Sequence, residues 1–200
     1  MCSESQTKQL GGAAIGALAV LTALCGAAKA ADPYGSLNAP VASPSRFEVR
    51  LGAFVHDPVS PERGGADING EILFDPFAAR DRSTIWGALA PRLHLGGTAS
   101  LAGKTSQVYT GFTWTWDIAP KIFVEAGLGL AAHNGKTAIP APVGFNAMGC
   151  GWGFHEQAAL GYRITDAVSV MLSVEHTSNS GVCKSNRGLT NVGVRLGYRF

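Results

Sequence analysis

The chain has 200 residues, a net charge of +2 and only 15% charged side chains. That length holds one domain, and so slight a charge excess excludes both a nucleic-acid-binding surface and a disordered polyelectrolyte. Composition alone leaves soluble and membrane classes open.

At the start of the chain, Lys8 precedes an apolar run rich in Ala, Gly and Leu from Leu10 to Ala28. Ala28-Lys29-Ala30 then has the small-x-small pattern that a signal peptidase cuts before Ala31. Residues 1–30 therefore read as a cleaved export signal. A retained anchor of that length is the alternative, and the small residues and the cleavage pattern argue against it. Cys25 is not a lipoprotein site, because Leu24 before it is too large. No second apolar run of helical membrane length follows, so any later insertion must use strands. Residues 31–45 are rich in Pro, Ala and Ser without periodicity and read as a flexible N-terminal segment.

From residue 46 onward, stretches of about ten residues with alternating character recur between Gly, Pro, Asp and Asn. They predict strands near 46–57, 66–75, 84–97, 104–117, 121–133, 151–164, 167–178 and 189–200. Eight is an even number, as a closed antiparallel bacterial barrel requires. The expected fold is all-β, an eight-stranded antiparallel transmembrane β-barrel of the outer-membrane type spanning residues 46–200.

The polarity of the alternation supports this. In the first stretch Phe47, Val49, Leu51, Ala53 and Val55 alternate with Glu48, Arg50, Gly52, Phe54 and His56. In the seventh, Val168, Val170, Leu172 and Val174 share one face and Ser169, Met171, Ser173 and Glu175 the other. A soluble half-buried sheet turns its charges outward. A small membrane barrel turns them into a side-chain-filled lumen, where Glu48, Arg50, Glu71, Arg92, His94, Glu125, Glu175 and Arg195 could neutralise one another.

Trp114 and Trp116 precede the tight Asp117-Ile118-Ala119-Pro120 turn, where an interfacial aromatic belt would lie. The chain ends in Phe200, preceded at steps of two by Tyr198, Leu196, Val194 and Val192. That pattern resembles the C-terminal assembly signal of bacterial outer-membrane proteins, which implies the outer-membrane assembly machinery as a partner. Short turns at 76–83, 118–120 and 165–166 belong in the periplasm, and the connections at 58–65, 98–103, 134–150 and 179–188 outside. The implied location is the outer membrane of a Gram-negative bacterium. Once the signal is removed, Cys150 and Cys183 remain as an even pair in predicted loops on one side, which permits a disulfide. Association into a homodimer is left open.

His176 and Ser178 are two apart on an extended strand, so both emerge on the face of Val170, Leu172 and Val174, toward lipid and at the external end. Serine is a weak nucleophile until a base takes its proton, and imidazole is the usual partner. A polar pair facing acyl chains is costly without a function, although His and Ser can also sit among headgroups at a barrel rim.

The motifs His176-Thr177-Ser178-Asn179-Ser180-Gly181 and Asn186-Arg187-Gly188, followed by a terminal strand ending in Phe200, resemble the PagL-type lipid A 3-O-deacylases. These are eight-stranded outer-membrane barrels that hydrolyse the ester-linked 3-hydroxyacyl chain of lipid A. The resemblance is specific over about the last thirty residues and architectural elsewhere. It implies Ser178 as nucleophile, His176 as general base, and Asn186 with the backbone around Asn179 to Gly181 as oxyanion stabilisers. It also implies lipid A, or lipopolysaccharide, as substrate, and no cofactor or metal.

One departure stands out: where the family carries a glutamate about two residues after the glycine matching Gly188, this chain has Leu189-Thr190. Thr190 has the outward parity but no charge. Glu156 is a candidate replacement acid, since pairing of the sixth and seventh strands at residue numbers summing to about 330 sets it opposite Val174, one same-face step from His176. A bulge near Gly151 or Gly153 would instead turn it inward, and Glu175 points inward. Besides the esterase, a structural or adhesion barrel with a vestigial His-Ser pair is the second expectation. A solute pore has little room in so small a barrel.

Overall fold

The computed structural model describes residues 45–200. The expected export signal and all but the last residue of the 31–45 segment lie outside the described residues. Eight strands form a closed barrel in chain order: β1 (Phe47–Val55), β2 (Ala66–Phe74), β3 (Arg92–Ser100), β4 (Gln107–Ala119), β5 (Ile122–His133), β6 (Trp152–Arg163), β7 (Val168–Ser178) and β8 (Leu189–Arg199). Every neighbouring pair is antiparallel, and β1 closes on β8 in a continuous register from Glu48↔Arg199 to Val55↔Val192. Closure leaves no unpaired strand edge, which a backbone in hydrocarbon requires.

The period-two pattern sorts the side chains as expected. Leu51, Val55, Ile68, Leu95, Val108, Leu130, Leu172 and Leu196 are exposed on the outer wall, whereas Glu48, Arg50, Glu71, Arg92, His94, Glu125, Glu175 and Arg195 are buried. The buried charges are paired. The Arg50 guanidinium donates to Glu48 at 2.6 Å, to Glu71 at 3.2 Å and to both oxygens of Glu125 at 2.7 and 2.9 Å. Arg92 bridges Glu48 and Glu125, and Arg195 donates to Glu175 at 3.0 Å. Removing one member of such a buried set leaves an uncompensated charge, typically at a cost of about 3–5 kcal/mol. Toward the middle of the lumen the Tyr109 ring stacks on His155 at 3.9 Å, with His94 edge-on to Tyr109. The lumen is therefore a packed polar core.

Some strand boundaries differ from expectation. The stretch predicted as strand from 84 begins to pair only at Arg92. Before it, Thr84 caps a short helix, α1 (Ile85–Ala88), its Oγ1 accepting from the Gly87 N–H at 3.1 Å. This residue class prefers an N-cap to a strand start. Consequently the β2–β3 connection runs from 75 to 91 rather than from 76 to 83. β3 continues to Ser100, beyond the predicted end at 97, because the Thr98 hydroxyl turns inward and donates to Glu175 at 2.7 Å. β4 likewise begins at Gln107 and extends to Ala119, with a register irregularity between Asp117 and Ala119. Its outward Trp114 and Trp116 donate their indole N–H groups to Leu89 O and Ala88 O, both at 2.9 Å, and so fasten α1 to the wall.

Candidate active site

β7 carries His176 and Ser178 to its external end, both half-buried on the outer face. The ladder sets His176 directly opposite Glu156 on β6 and Thr190 on β8, while Ser178 faces Phe154. The β6–β7 pairs sum to 332, two more than the sequence suggested, because the turn occupies 164–167. Glu156 therefore lies across from His176 itself rather than from Val174. No bulge turns it inward: Gly153, His155 and Gln157 take the lumen side and Glu156 is exposed.

The partner that touches the imidazole is Thr190. His176 Nδ1 and Thr190 Oγ1 are 2.8 Å apart. Among the described residues no carboxylate bonds to His176, and Glu156, though opposite, makes no hydrogen bond to it. The other edge of the ring lies over Gly188: a Cβ there would come within 2.7 Å of His176 Cε1 and 3.0 Å of Nε2. A side chain here would push the imidazole from this position.

After Ser178 the chain turns sharply, with Ser180 at φ 52° and Gly181 at φ 81°. Asn179 organises this turn and is itself buried. Its side-chain Nδ2 donates to Met148 O and Ser185 O, both at 2.6 Å, and its Oδ1 accepts from the Gly181 N–H at 3.0 Å. Its own N–H donates to Asn186 Oδ1 at 2.8 Å. The N–H groups of Asn179 and Gly181 are therefore engaged within the loop. Among the described residues, the Ser180 N–H and Asn186 Nδ2 are not. Cys150 and Cys183 are joined as a disulfide, Cα–Cα 6.0 Å, tying loop 134–151 to loop 179–188.

Sequence reasoning missed a second cluster at this end. Asp57, buried and at φ 39°, accepts from the Thr190 N–H at 3.2 Å through Oδ1, and its Oδ2 accepts from Ser60 Oγ and Asn146 Nδ2. Asn146 Nδ2 also donates to Gly188 O at 2.9 Å. Glu62 accepts the N–H groups of Thr105 and Asn146 at 2.7 and 2.9 Å. His56, wholly buried, sits 2.8 Å from Asp67 and 3.6 Å from Glu62. Burial opposes charge on His56, but these two carboxylates outweigh it and hold the imidazole up to about 9. Burial likewise opposes charge on Glu62, and His56 with the donated N–H groups holds it down to about 2. Nothing in the local sequence around Asp57 or Asn146 marks these long-range partners.

Closed, eight-stranded and charged within, with a polar pair on its apolar wall, the molecule is an outer-membrane β-barrel. Residues 68–199 match the family model of lipid A 3-O-deacylase (PagL), and the chain belongs to that family. The crystal structure of the outer membrane enzyme PagL is similar, with a TM-score of 0.60 at 18% identity, covering 76% of this chain and 99% of that one. The N-terminal β-barrel domain of Pseudomonas aeruginosa OprF (TM-score 0.50, 14% identity, 78% and 98% covered) shares the fold. So does a de novo designed transmembrane β-barrel (0.50, 11%, 79% and 98%). No curated protein matches the chain in sequence.

Proposed function

We propose that this protein is an esterase of the outer leaflet that removes the ester-linked 3-hydroxyacyl chain from lipid A, with Ser178 as nucleophile and His176 as general base. The observation that carries this reading is the lipid-facing His176-Ser178 pair at the external end of β7, with Nδ1 of the imidazole held by Thr190. For His176 Nε2 to take a proton, Nδ1 must carry the hydrogen, and Thr190 Oγ1 is then its acceptor.

The steps follow from ester chemistry. Ser178 Oγ attacks the ester carbonyl as its proton passes to Nε2. The tetrahedral intermediate collapses, and the leaving lipid A hydroxyl takes that proton. Water then repeats the sequence on the acyl-enzyme and releases a 3-hydroxy fatty acid. No cofactor enters the balance. Of the loop groups near Ser178, the Ser180 N–H and the Asn186 side-chain amide are the donors left for the oxyanion, since Asn179 and Gly181 spend theirs on the turn.

A hydroxyl in the place of an acid favours a second reading, a catalytically weak or inactive structural or adhesion barrel. Thr190 orients the ring but brings no charge to the imidazolium, and loss of that charge in a serine-protease triad costs about four orders of magnitude. Glu156 could supply a carboxylate from the opposite strand by a side-chain rotation.

Mass spectrometry of lipid A from cells expressing the wild type, Ser178→Ala and Glu156→Gln separates these readings. Loss of one hydroxyacyl chain in the wild type but not with Ser178→Ala is the expected result. Intact lipid A in every strain would leave the structural reading. A rate with Glu156→Gln equal to wild type would assign orientation of His176 to Thr190 alone.

A further inference from the structure

The residue that bonds the His176 ring and the glycine its other edge lies over are both held by one buried carboxylate. Thr190, on Nδ1, has its backbone N–H bonded to Asp57 Oδ1 at 3.2 Å. Gly188, beneath Cε1 and Nε2, has its carbonyl bonded to Asn146 Nδ2, whose second bond is to Asp57 Oδ2. The Asp57 N–H reaches the same strand from the other side and donates to Asn191 Oδ1 at 3.1 Å. Asp57 thus touches Gly188, Thr190 and Asn191 at the start of β8, directly or through one amide, from the opposite end of the sequence.

Its setting is unlike that of the lumen carboxylates. Glu48, Glu71, Glu125 and Glu175 each lie against an arginine. Among the described residues no cationic nitrogen lies within 4 Å of Asp57. A buried carboxylate is costly unless its lone pairs are met, and here an amide N–H, a side-chain amide and a hydroxyl meet them. Its backbone is also in the left-handed region without being glycine, which persists only where the surroundings impose it. The arrangement ties this carboxyl group by hydrogen bonds alone, through Thr190, to the residue that bonds the imidazole.

We propose that Asp57 is the positioning residue for His176, standing in through Thr190 for the carboxylate that the strand itself lacks. It locks the start of β8 so that Thr190 Oγ1 accepts from Nδ1 and selects the Nδ1–H tautomer, the one whose Nε2 can take the proton of Ser178. This rests on the esterase reading for its consequence, but the hold on the ring can be measured without it.

The test uses the folded, full-length barrel in detergent micelles. Nitrogen-15 NMR of His176 should show one dominant Nδ1–H tautomer in the wild type and a mixture of tautomers in Asp57→Asn. Kinetics on lipid A supply the second measurement. Asp57→Asn should lower kcat roughly tenfold with KM nearly unchanged, and the loss should shrink below about twofold in a Thr190→Glu background, where a carboxylate reaches His176 directly. An unchanged tautomer ratio overturns the proposal, and so does an equal loss in both backgrounds, which would mark Asp57 as a loop staple only. Should Thr190→Glu itself be inactive, the tautomer ratio decides. If wild type and Ser178→Ala alike leave lipid A intact, the esterase reading has failed, and the tautomer ratio still decides whether Asp57 holds the ring.

Discussion

Thr190 holds the His176 imidazole at Nδ1 and Gly188 leaves room for its other edge, so small changes at either should be felt at Nε2. Gly188→Ala introduces a methyl 2.7 Å from His176 Cε1. The ring is the movable partner, and swinging it away breaks the bond to Thr190. The strand ladder is untouched, so the barrel should keep its compact, heat-modifiable gel mobility. Displacing a base by about 1 Å can cost roughly a hundredfold in rate, and that order of loss in lipid A deacylation is the expected outcome. Retention of the wild-type rate would mean that the ring does not work in this position. At this scale the candidate site was partly legible. His176 and Ser178 follow from parity, because a side chain two residues on cannot leave its face. Asp57 was not legible, because its bond to Thr190 spans 133 residues and depends on a loop whose course no local pattern encodes.

Strands and loops divide the labour. The ladder sets which residues face one another, and the external loops fix the end of β7 by side-chain amides and one disulfide. Cys150–Cys183 closes a segment of sequence separation 33, for which chain entropy predicts a stabilisation on the order of 3–4 kcal/mol. Since that segment includes β6 and β7, already held by neighbours, most of the effect should appear locally. The Cys150→Ser/Cys183→Ser variant is expected to fold as a barrel yet be cleaved faster by protease within 134–151 and 179–188. Equal cleavage rates would assign the loop order to Asn179 alone. Strand existence was legible because the membrane inverts the usual polarity and leaves a strict alternation. Strand ends were less so: the alternation puts Thr84 at a strand start and Thr98 in a loop, yet Thr84 caps α1 and Thr98 enters the lumen within β3 to meet Glu175. The α1 residues carry no periodicity long enough to announce a helix, and the Trp114 and Trp116 indoles that donate to its carbonyls come from β4.

Over the whole molecule, electrostatics make the loop network around His56 the part that responds to pH. The pKa of His56 rises from its ordinary 6.5 to about 9 in the folded loops. Its contribution is therefore complete below pH 6.5 and is lost as pH rises through 9. Glu62 is held down at about 2 from 4.5, so its contribution is complete above 4.5 and is lost as pH falls through 2. The external network should be firmest between these limits, near pH 4.5–6.5. Hydrogen exchange of residues 56–65 is expected to quicken between pH 7 and 10, after correction for intrinsic exchange, while the strand amides stay protected. A flat profile would show that His56 is not the group that holds the loop.

The half-exposed His176 and Ser178 sit on the outer wall, so a substrate reaches them without entering the lumen. Encounter is then two-dimensional. On the proposed esterase reading, turnover is governed by the mole fraction of lipid A in the surrounding leaflet, and diluting the barrel with inert detergent at constant bulk substrate should slow it. The interior is left to be filled with salt bridges, and on the same reading the apolar wall is at once membrane anchor and the floor on which the acyl chain lies.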